Sequence, residues 1–179
     1  MGGYGSGRRI GGDAKTTVED SWAISADRLT RDKVLRPSGY GSGTITWRNN
    51  FTEEEVCSIG FEVNTWDPQS QWLRLHYTKT RTGEKIDYKV RLTSTRTPWG
   101  ATRWWFLCPL IRGDSPCGRR VGKLYLPPGA KYYGCRHCYD LTYTSCQESR
   151  KFDSLFKLLA KDTGMDPKTV KRLLREDWD

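Results

Sequence analysis

Four of the six cysteines fall into two pairs whose spacing is typical of metal ligands. Eight residues separate Cys108 from Cys117, and two residues separate Cys135 from Cys138. A two-residue gap lets a tight turn present both sulfurs, and two such pairs can bring four thiolates to one tetrahedral ion. We therefore expect one zinc ion. Because four thiolates leave no position open for water, we expect that ion to be structural.

The same residues allow a second interpretation, in which the four thiols are reduced and buried without a metal. The first gap is longer than is usual for such a pair, although Gly118 provides the positive φ that a metal-binding turn requires. His137 could replace one cysteine as a ligand, but its position inside the turn favours an outward orientation. Cys57 and Cys146 are predicted to be ordinary thiols.

Little in the composition indicates catalysis. The chain has only two histidines, His76 and His137, and no group of carboxylates with histidine or lysine forms a recognisable catalytic set. We expect a protein that is not an enzyme.

The elements that must position the cysteines follow from the periodicity of apolar residues. Between residues 43 and 107 apolar side chains recur at every second position, which predicts about five strands of an antiparallel sheet with one wet face. The residues that define these strands are Ile45 and Trp47; Cys57, Ile59, Phe61 and Val63; Leu73, Leu75 and Tyr77; Ile86, Tyr88, Val90 and Leu92; and 103–107. On the third strand, the opposite face carries an aromatic-basic row of Trp72, Arg74 and His76. This row could face a second element of the chain or a partner, and we expect a second element to cover it.

Helical spacing predicts α-helices on either side of this sheet. Residues 16–35 are expected to form an N-terminal helix, and a capping-box spacing at Ser145 and Glu148 predicts a further helix that stops near Gly164. Asp166 and Pro167 then predict the start of a second, short helix. The expected fold is α+β: an N-terminal helix, an antiparallel sheet of about five strands, a zinc ribbon and a C-terminal helical pair. The expected domains are a flexible basic arm (1–15), the helix and sheet (16–107), the ribbon (108–140) and the helical pair (141–179).

Residues 106–140 resemble a zinc ribbon, the small β module of transcription elongation factors, RNA polymerase subunits and many transposases. The Cys135-Arg-His-Cys138 turn is the specific part of the resemblance, and 120–126 with 131–133 read as its hairpin. Within 108–139 six basic residues face one acidic residue, Asp114. This excess predicts contacts with phosphates from Arg119, Arg120, Lys123, Lys131 and Arg136.

Residues 156–175 resemble the helix-turn-helix of bacterial repressors and resolvases. The residues that carry this resemblance are Ala160, Gly164, Met165, Val170 and Leu173. The resemblance implies that the second helix enters the major groove of DNA. Its exposed side would carry Lys168, Thr169, Lys171, Arg172 and Arg175. The alternative is a helical hairpin that only packs, and the acidic residues 176, 177 and 179 would repel phosphate.

Charge and hydropathy indicate the kind of partner. The 179-residue chain has 30 basic and 21 acidic side chains, a net charge of +9, with the excess concentrated in 1–50, which includes Arg8 and Arg9, and in 108–150. A polyanionic partner is expected, DNA more than RNA, and Arg8 and Arg9 are predicted to contact it. No apolar run is long enough to span a membrane and no signal peptide is visible, so we expect no membrane partner and a cytoplasmic protein, in which cysteines bind metal more often than they form disulfides.

The chain also resembles a family of small bacterial proteins associated with prophages and other mobile elements. The matching parts are the Met-Gly-Gly-x-Gly-Ser-Gly-Arg start, Trp105-Phe-Leu-Cys108 and Cys135-Arg-His-Cys138. The expected function is that of a zinc-stabilised nucleic-acid-binding protein, a DNA-binding regulator of such an element. The alternative is a protein that docks on a nucleic-acid machine, such as RNA polymerase or a CRISPR effector, and inhibits or redirects it. The sequence does not define an oligomeric state.

Overall fold

The computed structural model describes residues 15–48, 55–80, 82–148, 153–166, 168–169 and 172. The chain divides into two compact units. One is Val18–Leu141, and the other combines Met1–Thr17 with Thr142–Asp179. Arg8 and Arg9 of the predicted basic arm lie outside the described residues.

The described chain is mostly antiparallel β-structure with three short helices. The elements in chain order are β1 (Trp22–Ser25), α1 (Ala26–Arg31), β2 (Tyr40–Arg48), β3 (Glu55–Asn64), β4 (Trp72–Thr78), β5 (Lys85–Arg96), β6 (Thr102–Leu107), β7 (Ile111–Arg112), β8 (Ser115–Pro116), β9 (Arg120–Val121), β10 (Lys123–Leu126), α2 (Thr144–Glu148) and α3 (Asp153–Thr163). The predicted α+β class is therefore wrong.

A six-stranded sheet forms the framework of the Val18–Leu141 unit. Its strand order is β2-β3-β4-β5-β6-β9, and every neighbouring pair is antiparallel. The five strands predicted from alternating apolar residues are all present as β2 to β6. The sixth, β9, is only two residues long, too short for alternation to reveal.

The predicted N-terminal helix over residues 16–35 is wrong for its first part. Residues 22–25 form β1, which pairs with β10 so that Trp22 lies opposite Leu126 and Ile24 lies opposite Leu124. The apolar residues of this segment also alternate, and pairing with β10 buries Ile24. The helix α1 has only six residues, begins after the Ser25 cap, and is followed by Lys33, whose φ of 57° ends it.

The core lies between the inner face of the six-stranded sheet and a layer made by β1, β10 and α1. The Ala26 N–H donates to Gly122 O at 2.9 Å, which joins α1 to the segment between β9 and β10. The buried side chains of this core are Ile24, Ala26, Leu29, Leu35, Ile59, Phe61, Val63, Leu73, Leu75, Val90, Leu92, Trp104, Phe106, Leu124 and Tyr133. Cys57 packs against this cluster from its strand, as an ordinary thiol would.

The outer face of the sheet is the wet face that the alternation predicts. His76 is exposed on it and Trp72 and Arg74 are half-buried. No element of the described Val18–Leu141 unit covers the aromatic-basic row, contrary to our expectation.

The other unit carries α2 and α3. Thr17 forms a parallel bridge with Thr142, and Gln147 Nε2 donates to Lys15 O at 2.6 Å. The prediction that a helix stops near Gly164 is confirmed, because α3 ends at Thr163 and Gly164 has a φ of 64°. No helix of the described residues has the length and apolar character needed to cross a membrane.

The predicted C-terminal helical pair is wrong. After α3, the Asp166 carboxylate accepts from the Lys168 N–H at 3.0 Å, which is the predicted cap. Lys168, Thr169 and Arg172 are helical, but α3 is the last helix whose bounds the structure describes. Residues 167, 170–171 and 173–179 lie outside the described part of the chain, so the expected contacts of Lys171 and Arg175 do too.

Candidate metal centre

The structure brings the four predicted cysteine ligands together. The Sγ atoms of Cys108, Cys117, Cys135 and Cys138 all lie within 4.8 Å of one another. Cys108 Sγ lies 3.8 Å from Cys138 Sγ, and Cys117 Sγ lies 3.9 Å from Cys135 Sγ. A regular tetrahedron of sulfurs about 2.3 Å from a central ion has edges of about 3.8 Å, whereas a disulfide would place two sulfurs about 2.05 Å apart. The cluster can hold one metal ion.

The eight-residue gap of the first pair contains a hairpin. Residues of β7 pair with β8, Ile111 with Pro116 and Arg112 with Ser115, around a turn at Gly113, whose φ is 63°. At the base of the hairpin the Cys117 N–H donates to Leu110 O at 2.8 Å. The hairpin therefore brings Cys117 next to Leu110. As a result, the chain from Cys108 to Leu110 together with Cys117 is arranged like a Cys-x-x-Cys turn.

The two turns are closed by the same type of backbone hydrogen bond. In the first, the Gly118 N–H donates to Cys108 O at 3.2 Å, and Gly118 has a φ of 53°. In the second, the Tyr139 N–H donates to Cys135 O at 3.4 Å. In each turn the residue after the second cysteine thus closes back on the first cysteine. His137 of the second turn is exposed, as its place in the turn predicts.

Neighbouring strands place the turns against each other. β6 leads directly into Cys108, whose N–H donates to Arg119 O at 2.9 Å. Tyr125 of β10 exchanges two backbone hydrogen bonds with Gly134, at 2.8 and 2.9 Å, immediately before Cys135. The Cys135 N–H then donates to Cys108 Sγ at 3.2 Å, which links one turn to the sulfur of the other.

The thiols have different proton affinities in the metal-free protein. Burial raises the pKa of Cys108 to about 11, although backbone N–H groups of Leu110 and Cys135 oppose this shift. Burial also raises the pKa of Cys138. Burial acts on Cys117 in the same direction, but hydrogen bonds from the Arg119 backbone and from the other thiols outweigh it and lower the Cys117 pKa. A metal ion would therefore have to displace protons from Cys108 and Cys138.

Two residues that shape the centre, Gly134 and Leu110, could not be identified from the cysteine spacing. Gly134 is buried between the two turns, where a Cβ would lie 2.8 Å from Leu110 Cγ and 2.9 Å from Tyr139 Cε2. The Leu110 carbonyl accepts the hydrogen bond from the Cys117 N–H. A glycine directly before a Cys-x-x-Cys turn was visible in the sequence, but only the packing explains it.

The basic residues predicted to contact phosphate have different surroundings. Lys131 forms an ion pair with Glu84, and its hydrogen bond to that carboxylate raises its pKa. Arg136 is half-buried. In the other unit, Lys168 and Arg172 are exposed and Thr169 is half-buried. Besides Lys131, the exposed basic residues among the predicted ribbon contacts are Arg119, Arg120 and Lys123.

The guanidinium groups of Arg120 and Arg103 both lie over the ring of Trp105. The Arg103 guanidinium lies 4.3 Å from the centroid of the Trp105 ring, and the Arg120 guanidinium lies 5.2 Å from it. The ring is held in place because Trp105 Nε1 donates to Thr95 Oγ1 at 3.0 Å. Neither Arg103 nor Trp105 was among the predicted binding residues, although both lie in the strand that enters the cysteine cluster.

Comparisons of the chain with protein-family models, with curated proteins and with solved structures give no match. The resemblance of residues 106–140 to a zinc ribbon stays a prediction. So does the resemblance of the chain to a family of mobile-element proteins.

Proposed function

We propose that the protein binds nucleic acid and is not an enzyme, and that a structural zinc ion stabilises the segment that carries its basic residues. The observation that carries the proposal is the connection between the four-sulfur cluster and β9. The Cys108 N–H bonds to Arg119 O at 2.9 Å, and Leu107 pairs with Arg120. An ion that holds Cys108 therefore also holds the backbone of both arginines.

Zinc is the proposed ion because it prefers four thiolates in tetrahedral geometry, and four protein ligands leave no position for a substrate or a reactive water. Iron is the other metal that a tetrahedral set of four sulfurs accepts. No two of the six cysteines form a disulfide, and this supports the proposal of a reducing, cytoplasmic setting. Metal analysis of the purified protein tests the assignment: we expect one zinc per chain and a colourless protein. An iron-loaded, coloured protein would exclude zinc.

The nucleic-acid part of the proposal rests on charge. Arg119, Arg120 and Lys123 are exposed within five residues of one another in the chain, and a protein that places cations on phosphates binds more weakly as salt rises. The expectation of a DNA-binding regulator of a mobile element stays a prediction that the sequence resemblances alone support. Its helix-turn-helix component is withdrawn, because the helices with described bounds are only α1, α2 and α3 and none of them is the predicted recognition helix.

The test measures binding of fluorescein-labelled single-stranded and duplex DNA to the zinc-loaded full chain at several salt concentrations. We expect log K to fall linearly with log salt. Arg119→Gln with Lys123→Gln should reduce the slope by about 0.7 to 0.9 for each phosphate that no longer meets a cation. The matched control is Arg31→Gln with Lys33→Gln, which removes the same charge from two other exposed positions, in and just after α1. Absence of binding to both DNA forms, together with recovery of a defined protein complex from the host, would replace this proposal with the docking alternative.

A further inference from the structure

Three strands near the metal centre present one continuous surface. In the register of β5 and β6, Thr93 lies opposite Trp105 and Thr95 lies opposite Arg103, and Leu107 lies opposite Arg120 of β9. These side chains are on the face opposite the buried Leu92 and Phe106, so they belong to the outer face of the sheet. We call the outer face of β5, β6 and β9, with Trp72 of β4, the cation-aromatic face.

Cations lie on both tryptophans of this face. Lys89 Nζ is 4.2 Å from the centroid of the Trp72 ring, and the guanidinium groups of Arg103 and Arg120 lie over Trp105. Trp72 pairs with Arg91, two residues before the Thr93 partner of Trp105. The strand spacing then separates the two tryptophans by roughly 12 Å. Each stack combines a flat ring with a positive charge.

The cations of this face and its surroundings outnumber the outward-facing acids among them. Glu62 and Asp87 also point outward, but Arg74 binds both: Arg74 Nε lies 2.7 Å from Asp87 Oδ1 and Nη1 lies 3.3 Å from Glu62 Oε2. In contrast, four cations of this face near the two tryptophans form no ion pair with any acidic side chain that the structure describes. These cations are Lys89, Arg91, Arg103 and Arg120.

The turn between β5 and β6 carries a further exposed tryptophan. Trp99 lies at its tip with 89% of its surface exposed, and the turn is closed by the Thr97 N–H, which donates to Ala101 O at 2.8 Å. The Trp99 indole is therefore accessible to a ligand from solvent.

We propose that the cation-aromatic face binds single-stranded nucleic acid, with bases stacked on the tryptophans or on the arginine planes and phosphates paired with the cations. This inference rests on the proposed function and names the strand form that it binds. Single strands fit because their bases are free to stack on aromatic rings and guanidinium planes. A duplex hides those base faces and would use only the cations. Because neither mode of contact reads the sugar, DNA and RNA of one sequence should bind alike.

The experiment uses the zinc-loaded full chain and a fluorescein-labelled strand of about 12 nucleotides, a length within the usual site size. The strand is tested as DNA, as RNA and as DNA annealed to its complement. We expect the single strands to bind at least tenfold more tightly than the duplex. Trp99→Ala and Arg103→Gln should each weaken binding of the single strand about fivefold or more, whereas Arg31→Gln with Lys33→Gln should not weaken it.

Trp105 is half-buried, so Trp105→Ala can also disturb folding. Trp105→Phe keeps a ring for stacking and should retain most of the affinity for the single strand. Trp105→Leu removes the ring and should lose that affinity, although its unfolding temperature should equal that of Trp105→Phe. Equal affinity for duplex and single strand, with binding lowered by Arg119→Gln and Lys123→Gln but not by Trp99→Ala or Arg103→Gln, would overturn this inference and leave the proposed function standing. Absence of binding to every probe would overturn both.

Discussion

Gly134 lies directly against Leu110, and this contact joins the two halves of the cysteine cluster. A Cβ on Gly134 would overlap Leu110 Cδ1 and lie 2.8 Å from Leu110 Cγ. Leu110 belongs to the turn that holds Cys108 and Cys117, while Gly134 directly precedes Cys135. The two turns can approach to the distance a metal ion needs because residue 134 has no side chain.

Gly134→Ala should therefore weaken metal binding. Forcing an extra methyl group into a packed site costs about 1–3 kcal/mol, and since binding and closure of the two turns are coupled, this corresponds to about a 5- to 150-fold rise in the apparent dissociation constant. Competition with a chelator measures it. Gly41→Ala is the matched control, because its Cβ would lie 3.5 Å from Val63, an ordinary contact. Equal metal affinity in the two variants would contradict the role assigned to Gly134.

Deletion of residues 111–116 should leave the metal centre intact. The Cys117 N–H already bonds to Leu110 O at 2.8 Å across the base of the hairpin, so the shortened chain reads Cys108-Pro-Leu-Cys117 and retains a Cys-x-x-Cys turn. We expect one metal per chain and an affinity within about tenfold of the original. The measurement is metal stoichiometry after gel filtration.

Two further variants make the deletion experiment decisive. Cys135→Ser in the shortened chain removes a ligand and should abolish the retained metal, as it should in the full chain. If the deletion itself releases the metal, the hairpin does more than bring Cys117 next to Leu110. The interpretation of the long gap as an interrupted turn would then be wrong.

The sheet and the ligand set were predictable because each has a local signature. Alternation along β3 and β5 marks the core face residue by residue, and the Cys135-x-x-Cys138 spacing needs no knowledge of the rest of the chain. The prediction of the N-terminal helix was wrong because its local pattern is ambiguous. Trp22 and Ile24 fit both a helical and an alternating pattern, and their partner strand β10 is about a hundred residues away in the chain. Tertiary pairing decided between the two patterns.

The cation-aromatic stacks could not be predicted, since they depend on strand register. Arg103 and Trp105 are two residues apart and share a face in any strand, but Arg120 reaches the same ring only because β9 pairs with β6. The closure of the first cysteine turn also lacks a periodic signal, although it is local in the chain. It requires a hairpin of two-residue strands around Gly113, and strands of that length have no periodicity to detect.

Tyr133→Phe should leave the protein as stable as before or more stable. The Tyr133 ring is fully buried beside Trp47 and Tyr77, yet its hydroxyl has no hydrogen-bond partner among the described residues. A buried unsatisfied hydroxyl costs about 1–3 kcal/mol, and phenylalanine removes it while it keeps the packing. Urea unfolding of the zinc-loaded protein measures the change in the free energy of unfolding.

Tyr88→Phe is the matched control for that substitution. The Tyr88 hydroxyl accepts the Tyr133 N–H at 2.8 Å, so its removal leaves a buried donor unpaired and should destabilise the protein by about 1–3 kcal/mol. The two substitutions make the same chemical change on neighbouring rings with opposite expected signs. A loss of stability in Tyr133→Phe equal to that in Tyr88→Phe would show that the Tyr133 hydroxyl has a partner.

The contacts of Arg74 with carboxylates should be visible in the titration of Asp87. The hydrogen bond from Arg74 holds the pKa of Asp87 below its ordinary value of 3.8, and the charge of the guanidinium acts in the same direction. A carboxyl group with a lowered pKa stabilises the fold above its unfolded pKa of about 3.9, and this contribution is lost as the pH falls through the lower folded pKa. NMR titration of the Asp87 carboxyl carbon should therefore give a midpoint below 3.8, and Arg74→Gln should raise it.

The same substitution tests whether Arg74 offsets negative charge on the outer face. Arg74→Gln releases the negative charges of Glu62 and Asp87 beside the cation-aromatic face, so it should also weaken binding of single strands, because like charges repel phosphate. Arg28→Gln is the control, since it removes the exposed partner of Asp32 and should change neither the Asp87 midpoint nor the affinity. An ordinary midpoint for Asp87 in the unaltered protein would mean that Arg74 does not offset the charge of Asp87.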